Sequence, residues 1–116
     1  MTAAKKIERV IQAEIERAIG AQPDVILMRN ALYSGPVGGG RWVNAGLGEG
    51  TPDLVAILAP SGRWFCLEVK QPGEYADQVQ RHVHDVWRRA GAFVCVVRSV
   101  DDAIGALERA RRGESQ

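Results

Sequence analysis

Residues 50–70 constrain this chain more than any other stretch. Two apolar runs of strand length, 54–59 and 64–69, flank the turn signal Pro60-Ser61-Gly62-Arg63. That pattern predicts a β-hairpin. With the turn at 60–63, Ala59 pairs with Trp64, Leu54 with Val69 and Asp53 with Lys70. Glu68 and Lys70 are two residues apart and share a face of their strand. Asp53 then lies diagonal to Glu68, about 7–8 Å away by Cα, and side chains can bridge that gap. Two carboxylates and one ammonium thus gather at one end of an otherwise apolar hairpin. Carboxylates held close repel each other unless something positive sits between them. A hard divalent cation suits such a place, because Mg2+ takes one or two carboxylates plus waters and phosphate oxygens. A salt bridge at a strand end accounts for the same three residues equally well.

At 116 residues the chain has room for one core and not two, so 1–116 reads as a single domain with its core at about 5–110. No apolar run approaches the roughly 20 residues of a membrane span. No apolar segment follows Lys5 and Lys6, as it would in a signal peptide. The expectation is a cytoplasmic protein away from membranes. Cys66 and Cys95 sit inside strand-like apolar runs and read as buried thiols in a reducing compartment. The net charge of +1 selects no partner, and residues 71–116 intersperse seven basic with seven acidic side chains. Any nucleic-acid binding has to come from a local patch.

Before the hairpin, Ile7, Val10, Ile11, Ile15, Ala18 and Ile19 recur at helical spacing over 3–19, and Gly20 and Pro23 mark the stop. Val25-Ile26-Leu27-Met28 predicts a short buried strand. Residues 33–50 carry seven glycines and read as a long irregular segment with a short strand at Arg41-Trp42-Val43. After the hairpin, Asp77 is a candidate N-cap. Val79, Val83, Val86, Trp87 and Ala90 trace a helix that Gly91 ends. The apolar run 92–97 predicts a central strand covered on both faces. Ser99 opens a last helix that buries Ala103, Ile104, Leu107 and Ala110, and the arginine-rich tail reads as a solvated, fraying end. The strand–helix–strand unit is expected to be parallel. The sum is an α/β domain: a mixed central sheet of about four strands, flanked by helices on both faces.

Other groups point to bland roles. His82 and His84 do not share a helix face and read as surface residues. No set of side chains shows zinc-ligand spacing. Neither cysteine has an activating base near it in sequence. Gln80, three residues after Asp77, reads on its own as a surface polar residue.

Pro52-Asp53, fourteen intervening residues, then Glu68-Val69-Lys70 resemble the PD-(D/E)xK nuclease signature. The chain from about residue 8 to about residue 108 is similar to the VRR-NUC branch, in the small stand-alone form found in phages and bacteria. The residues that carry this likeness are Glu8-x-x-Ile11-Gln12, Arg29-Asn30, Gly46-x-x-x-Gly50-x-Pro52-Asp53, Glu68-Val69-Lys70, Gln80, Gly91-Ala92 and 97–103. The Ile-Gln pair that follows Glu8 selects it over Glu14 as the acid of the first helix.

The resemblance implies a restriction-endonuclease-like fold. It also implies Mg2+- or Mn2+-dependent hydrolysis of phosphodiester bonds, selective for branched DNA such as Holliday junctions, by a homodimer. On that likeness Asp53, Glu68 and the Val69 carbonyl hold the metal. Glu8 reaches it directly or through water, and Lys70 orients or activates the attacking water. Gln80 and Gln12 position these groups or the substrate, and Arg29 and Arg41 contact the DNA backbone. A dimeric module that binds branched DNA without cutting it is the alternative.

Overall fold

The computed structural model describes residues 3–116. Its first element, α1 (Ala3–Gly20), is built from strong helix formers and reaches its first glycine only at Gly20. Strands β1 (Val25–Arg29), β4 (Leu54–Leu58), β5 (Arg63–Val69) and β6 (Phe93–Val97) form one sheet in the order β1-β4-β5-β6. Pairing is antiparallel from β1 to β5 and parallel between β5 and β6. Helix α2 (Gln78–Arg89) makes the crossover, and α3 (Val100–Arg111) follows β6. The mixed four-stranded sheet with helices on both faces is the arrangement the sequence predicts.

Alternation along the strands separates two faces. Leu54, Ala56, Phe65, Leu67, Val69, Phe93 and Val97 point to one side. There they pack against Ile15 and Ile19 of α1 and against Ala103, Ala106, Leu107 and Ala110 of α3. Phe65 and Phe93 stack at its centre, 5.3 Å between ring centroids. The other side is thinner, with Val55, Cys66, Ala92 and Val94 under Trp87 of α2. Trp87 meets Trp64 edge-on at 5.6 Å. Both cysteines are free and buried, as expected, and burial pushes Cys66 up to about 12 and Cys95 to about 11.

Six local expectations need correcting. First, β1 is an edge strand and not a buried one: Ile26 is 60% and Met28 42% exposed, because α2 covers only the β5–β6 half of that face. Second, β6 is also an edge strand, although its residues are covered on both faces. Third, 33–50 is not irregular. Strands β2 (Tyr33–Gly38) and β3 (Arg41–Ala45) form a separate two-stranded sheet. Gly38, Gly39 and Gly40 all take positive φ, which L side chains resist, and they turn the chain there. Fourth, the β4–β5 register differs by two residues from the predicted one. Gly62 N–H donates to the Leu58 carbonyl at 2.8 Å, so the turn occupies 59–62 and Leu54 pairs with Leu67. Fifth, the tail is tied down. Arg111 grips the Asp24 carboxylate at 2.6 and 2.8 Å, and Val94 N–H on the outer edge of β6 donates to the Ser115 carbonyl. The first two turns of α1 also depart from expectation, because Ile7 and Val10 are exposed beside the end of the sheet.

Candidate active site

The register correction tightens the predicted cluster. Carried one step past the Leu54–Leu67 pair, it sets Asp53 directly opposite Glu68 instead of Lys70. Opposed residues of an antiparallel pair have Cβ atoms about 4.5–5.5 Å apart. Lys70 remains on the same face, two residues beyond Glu68. Asp53 is further held by Val69, whose N–H donates to its Oδ2 at 2.8 Å. Val69 itself turns its side chain into the core.

The loop that delivers Asp53 is fastened by Asn30. Its Nδ2 donates to Thr51 Oγ1 (2.8 Å) and to the Pro52 carbonyl (2.7 Å), and its Oδ1 accepts from Leu47 N–H (2.9 Å). Its own N–H donates to the Asp53 carbonyl at 2.9 Å. Every polar group of the carboxamide is therefore used on the segment before Asp53. Gly50 lets that segment lie against α2. A Cβ there would come within 2.9 Å of Val83 Cγ2 and 3.1 Å of the Val79 carbonyl, and φ is +82°.

The two carboxyls act on each other in opposite directions. Burial, then the hydrogen bond to Glu68 and its charge, push Asp53 up to about 8, against the pull of Val69 N–H and Lys70. Burial raises Glu68 as well, while Asp53 and Lys70 draw it back. Two buried carboxyls facing each other thus favour the neutral form of Asp53 more than an exposed aspartate would, and they titrate as a coupled pair.

Glu68 is 2% exposed and has a second partner that sequence reading missed. His84, expected on the surface, is buried, and its Nε2 lies 3.3 Å from Glu68 Oε1. Burial, then Arg88, lower the His84 pKa. A neutral ring, assigned the Nε2–H tautomer, satisfies the carboxylate as its donor. The available signal was positional: His84 lies three residues before Trp87, on the stripe that faces the sheet.

The remaining expected residues divide. Glu8 stands near the mouth. Burial raises its pKa first, Lys70 lowers it, and Asp53 and Glu74 raise it further. Glu14 is exposed. Gln80 is half-buried and engaged with the backbone of the helix start. Its Oε1 accepts from Asp77 N–H (2.9 Å), and its N–H donates to Asp77 Oδ1 (2.8 Å), a capping box. Gln12 and Arg29 sit together, both on Glu16, at 3.5 and 3.8 Å, with Arg29 paired to Leu54 beside Asp53. Arg41 lies exposed on β3, beside the glycine turn. Among the described residues, no three His, Cys, Asp or Glu side chains group closely enough to hold a metal ion. Asp53 and Glu68 face each other as a pair, and Glu8 is close enough to feel the charges of Asp53 and Lys70.

The mixed sheet, the acid pair at its mouth and the adjacent lysine define a restriction-endonuclease-like, nuclease-family fold. Among solved structures the chain is similar to one described as a VRR_NUC domain, at 28% identity and a TM-score of 0.62, over 88% of this chain and 95% of that one. The VRR-NUC resemblance read in the sequence thus extends to the whole fold. No protein-family profile matches the sequence, and no curated protein matches it. No helix among the described residues is long and apolar enough to cross a membrane.

Proposed function

We propose that this chain is a divalent-metal-dependent, structure-selective DNA endonuclease acting on branched DNA such as Holliday junctions. One observation carries the reading: Asp53 and Glu68 face each other at the mouth of the central hairpin, with Lys70 on the same side. The donor set fits Mg2+ or Mn2+. Its oxygens are hard, and the burial and the Glu68 charge that push Asp53 up are what a cation between the two would offset. Asp53 and Glu68 would hold the ion with the Val69 carbonyl, which leaves the same strand edge as the Val69 amide bonded to Asp53. Glu8 would join through a water. When bound, the ion would polarise the scissile phosphate and lower the pKa of the attacking water.

The chain's own groups have separate tasks. Lys70 orients that water and stabilises charge building on the phosphoryl oxygens. Glu68 is kept in place by His84 Nε2–H, and Asp53 by Val69 N–H and the Asn30-fastened loop. Gln80 sets the start of α2 and so the height of His84 over the sheet. Arg29, Gln12 and Arg41 contact DNA backbone, and arginine suits phosphate geometry.

The whole chain, 1–116, acts as one nuclease domain in the cytoplasm, where its buried thiols stay reduced. It works as a homodimer, because paired cuts across a four-way junction need two mouths. The exposed apolar strip of Ile26, Met28 and Trp64 supports a second copy. The alternative is a branched-DNA-binding module without cleavage. A metal-titrated assay on branched, flapped and linear DNA separates the two. Cleavage of branched substrate in Mg2+ or Mn2+, lost in EDTA and in Asp53→Ala, is expected. Tight binding without cleavage in any divalent ion would overturn the enzyme in favour of the module.

A further inference from the structure

Beyond His84, on the β6 side of α2, lies a cleft of about 520 Å3 that no part of the mechanism uses. Its walls carry Tyr75, Arg81, Arg88 and Arg98, and His84 forms part of its lining while contacting Glu68 on the other side. The cleft therefore adjoins the acid pair through one imidazole.

The arginines are fixed in place by backbone. Arg81 donates to the Ala76 carbonyl at 2.6 Å, Arg98 to the Glu74 carbonyl at 2.7 Å, and Arg88 twice to the Val94 carbonyl at 2.8 and 2.9 Å. Arg88 also pairs with Asp85 at 3.0 Å, which neutralises it. Among the described residues, neither Arg81 nor Arg98 forms an ion pair with a carboxylate within 4 Å. A guanidinium has five N–H donors, so each keeps several for a ligand. A carbonyl bond fixes orientation without cancelling charge, which pre-organises the fork for an anion.

Tyr75 supplies the second half of the site. It is 77% exposed, and the Arg98 guanidinium lies over one side of its ring, 5.1 Å from the centroid. With Tyr75 that exposed, most of the rest of the ring is open to solvent. A cation held over one face leaves the opposite face as a stacking surface, and every nucleobase has a π-face to offer it. A base inside a duplex has both faces covered by its neighbours, so only an unpaired base can use this surface.

We propose that this cleft seats one nucleotide of an unpaired DNA strand, its phosphate on Arg81 and Arg98 and its base on the open face of Tyr75. The proposal rests on the nuclease reading and deepens it: among branched substrates it selects those with an unpaired nucleotide at the branch, next to the bond that is cut.

The test measures binding in EDTA, where cleavage does not interfere, by anisotropy of labelled oligothymidylate and of a labelled duplex of equal length. Tyr75→Ala should weaken single-strand binding about tenfold, while Tyr75→Phe stays within about twofold and duplex affinity is unchanged. Arg98→Gln, checked by circular dichroism for folding, should flatten the salt dependence on single strands by about 0.7 in log–log slope. Unchanged single-strand affinity in Tyr75→Ala would overturn the proposal. So would an equal loss on duplex, no single-strand binding by the wild type, or preferential binding of a polyglutamate peptide. The nuclease reading fails separately. Tyr75-dependent binding without cleavage in any metal would sink catalysis and keep the cleft. Cleavage with Tyr75-independent binding would sink the cleft alone.

Discussion

The chain builds two antiparallel hairpins, β2–β3 and β4–β5, from the same backbone motif. The second is the centre of the molecule: Leu54, Phe65, Leu67 and Val69 are almost wholly buried, and both strands pair on each side. The first forms a sheet of its own, exposes Tyr33, Val37 and Trp42, and turns through three consecutive glycines. Burial on both faces fixes where a side chain can point, so only the central hairpin can hold two carboxyls at a set spacing. The outer one, with Trp42 66% exposed, can offer contact area but not that rigidity.

Substitutions in the two hairpins test this contrast. The largest effect belongs to the mouth of the central one. Asp53→Ala or Lys70→Ala should lower metal-dependent turnover by at least about a hundredfold with the circular dichroism spectrum unchanged. Wild-type turnover in either variant would remove the chemistry from β4–β5. Phe65→Ala comes next. It opens a cavity under Phe93 and should cost about 3–5 kcal/mol in urea unfolding; a cost below about 1 kcal/mol would mean that the centre is less tightly packed than described.

Asn30→Ala leaves Leu47 N–H and the Pro52 carbonyl without their partner, and should cost about 1–3 kcal/mol. It should also slow turnover, because the loop carrying Asp53 loses its anchor. A change in stability with turnover untouched would limit Asn30 to the fold.

A gentler effect concerns pH. Native Asp53 keeps its proton up to about 8, whereas its unfolded counterpart loses it near the ordinary aspartate value. Proton binding by the native state stabilises it fully below the unfolded pKa, and this contribution is lost as pH rises through about 8. The melting temperature in EDTA should therefore fall between pH 5 and pH 8.5, and Asp53→Asn should flatten that fall. A rise over the same interval would contradict the raised Asp53 pKa. The smallest effect is at the outer hairpin, where Trp42→Ala should shift stability by no more than about 0.5 kcal/mol. A shift above about 2 kcal/mol would make that arm part of the core.

The same contrast governs what could be read from sequence. Apolar runs bounded by turn signals gave away β4, β5 and β6, and helical spacing gave away the three helices. Asp53, Glu68 and Lys70 stood out because acids and a lysine interrupt apolar strands. Their pairing was off by two because Pro60-Ser61-Gly62-Arg63 does not say which four residues turn, and Gly62 closes the turn one residue early. The hairpin β2–β3 stayed hidden because glycines outnumber β-formers there and nothing buries its faces in alternation. His84 stayed hidden for the opposite reason. The valines at 79 and 86 define a plausible apolar face, yet both are exposed, and a polar ring goes inside because the buried Glu68 needs a donor. Asn30 showed in the sequence only as part of the Arg29-Asn30 likeness; its anchoring role exists only once the loop at 46–53 folds back over it.

The carbonyl of Ser115, bonded to Val94 N–H, covers part of the outer rim of β6. A bare sheet rim is a template on which a stray extended chain can add itself. The last few residues thus act as a bumper, and trimming them would uncover amides beside the best-packed strand of the protein. The opposite rim, at β1, has no comparable cover among the described residues, so the sheet is guarded at one end and open to company at the other.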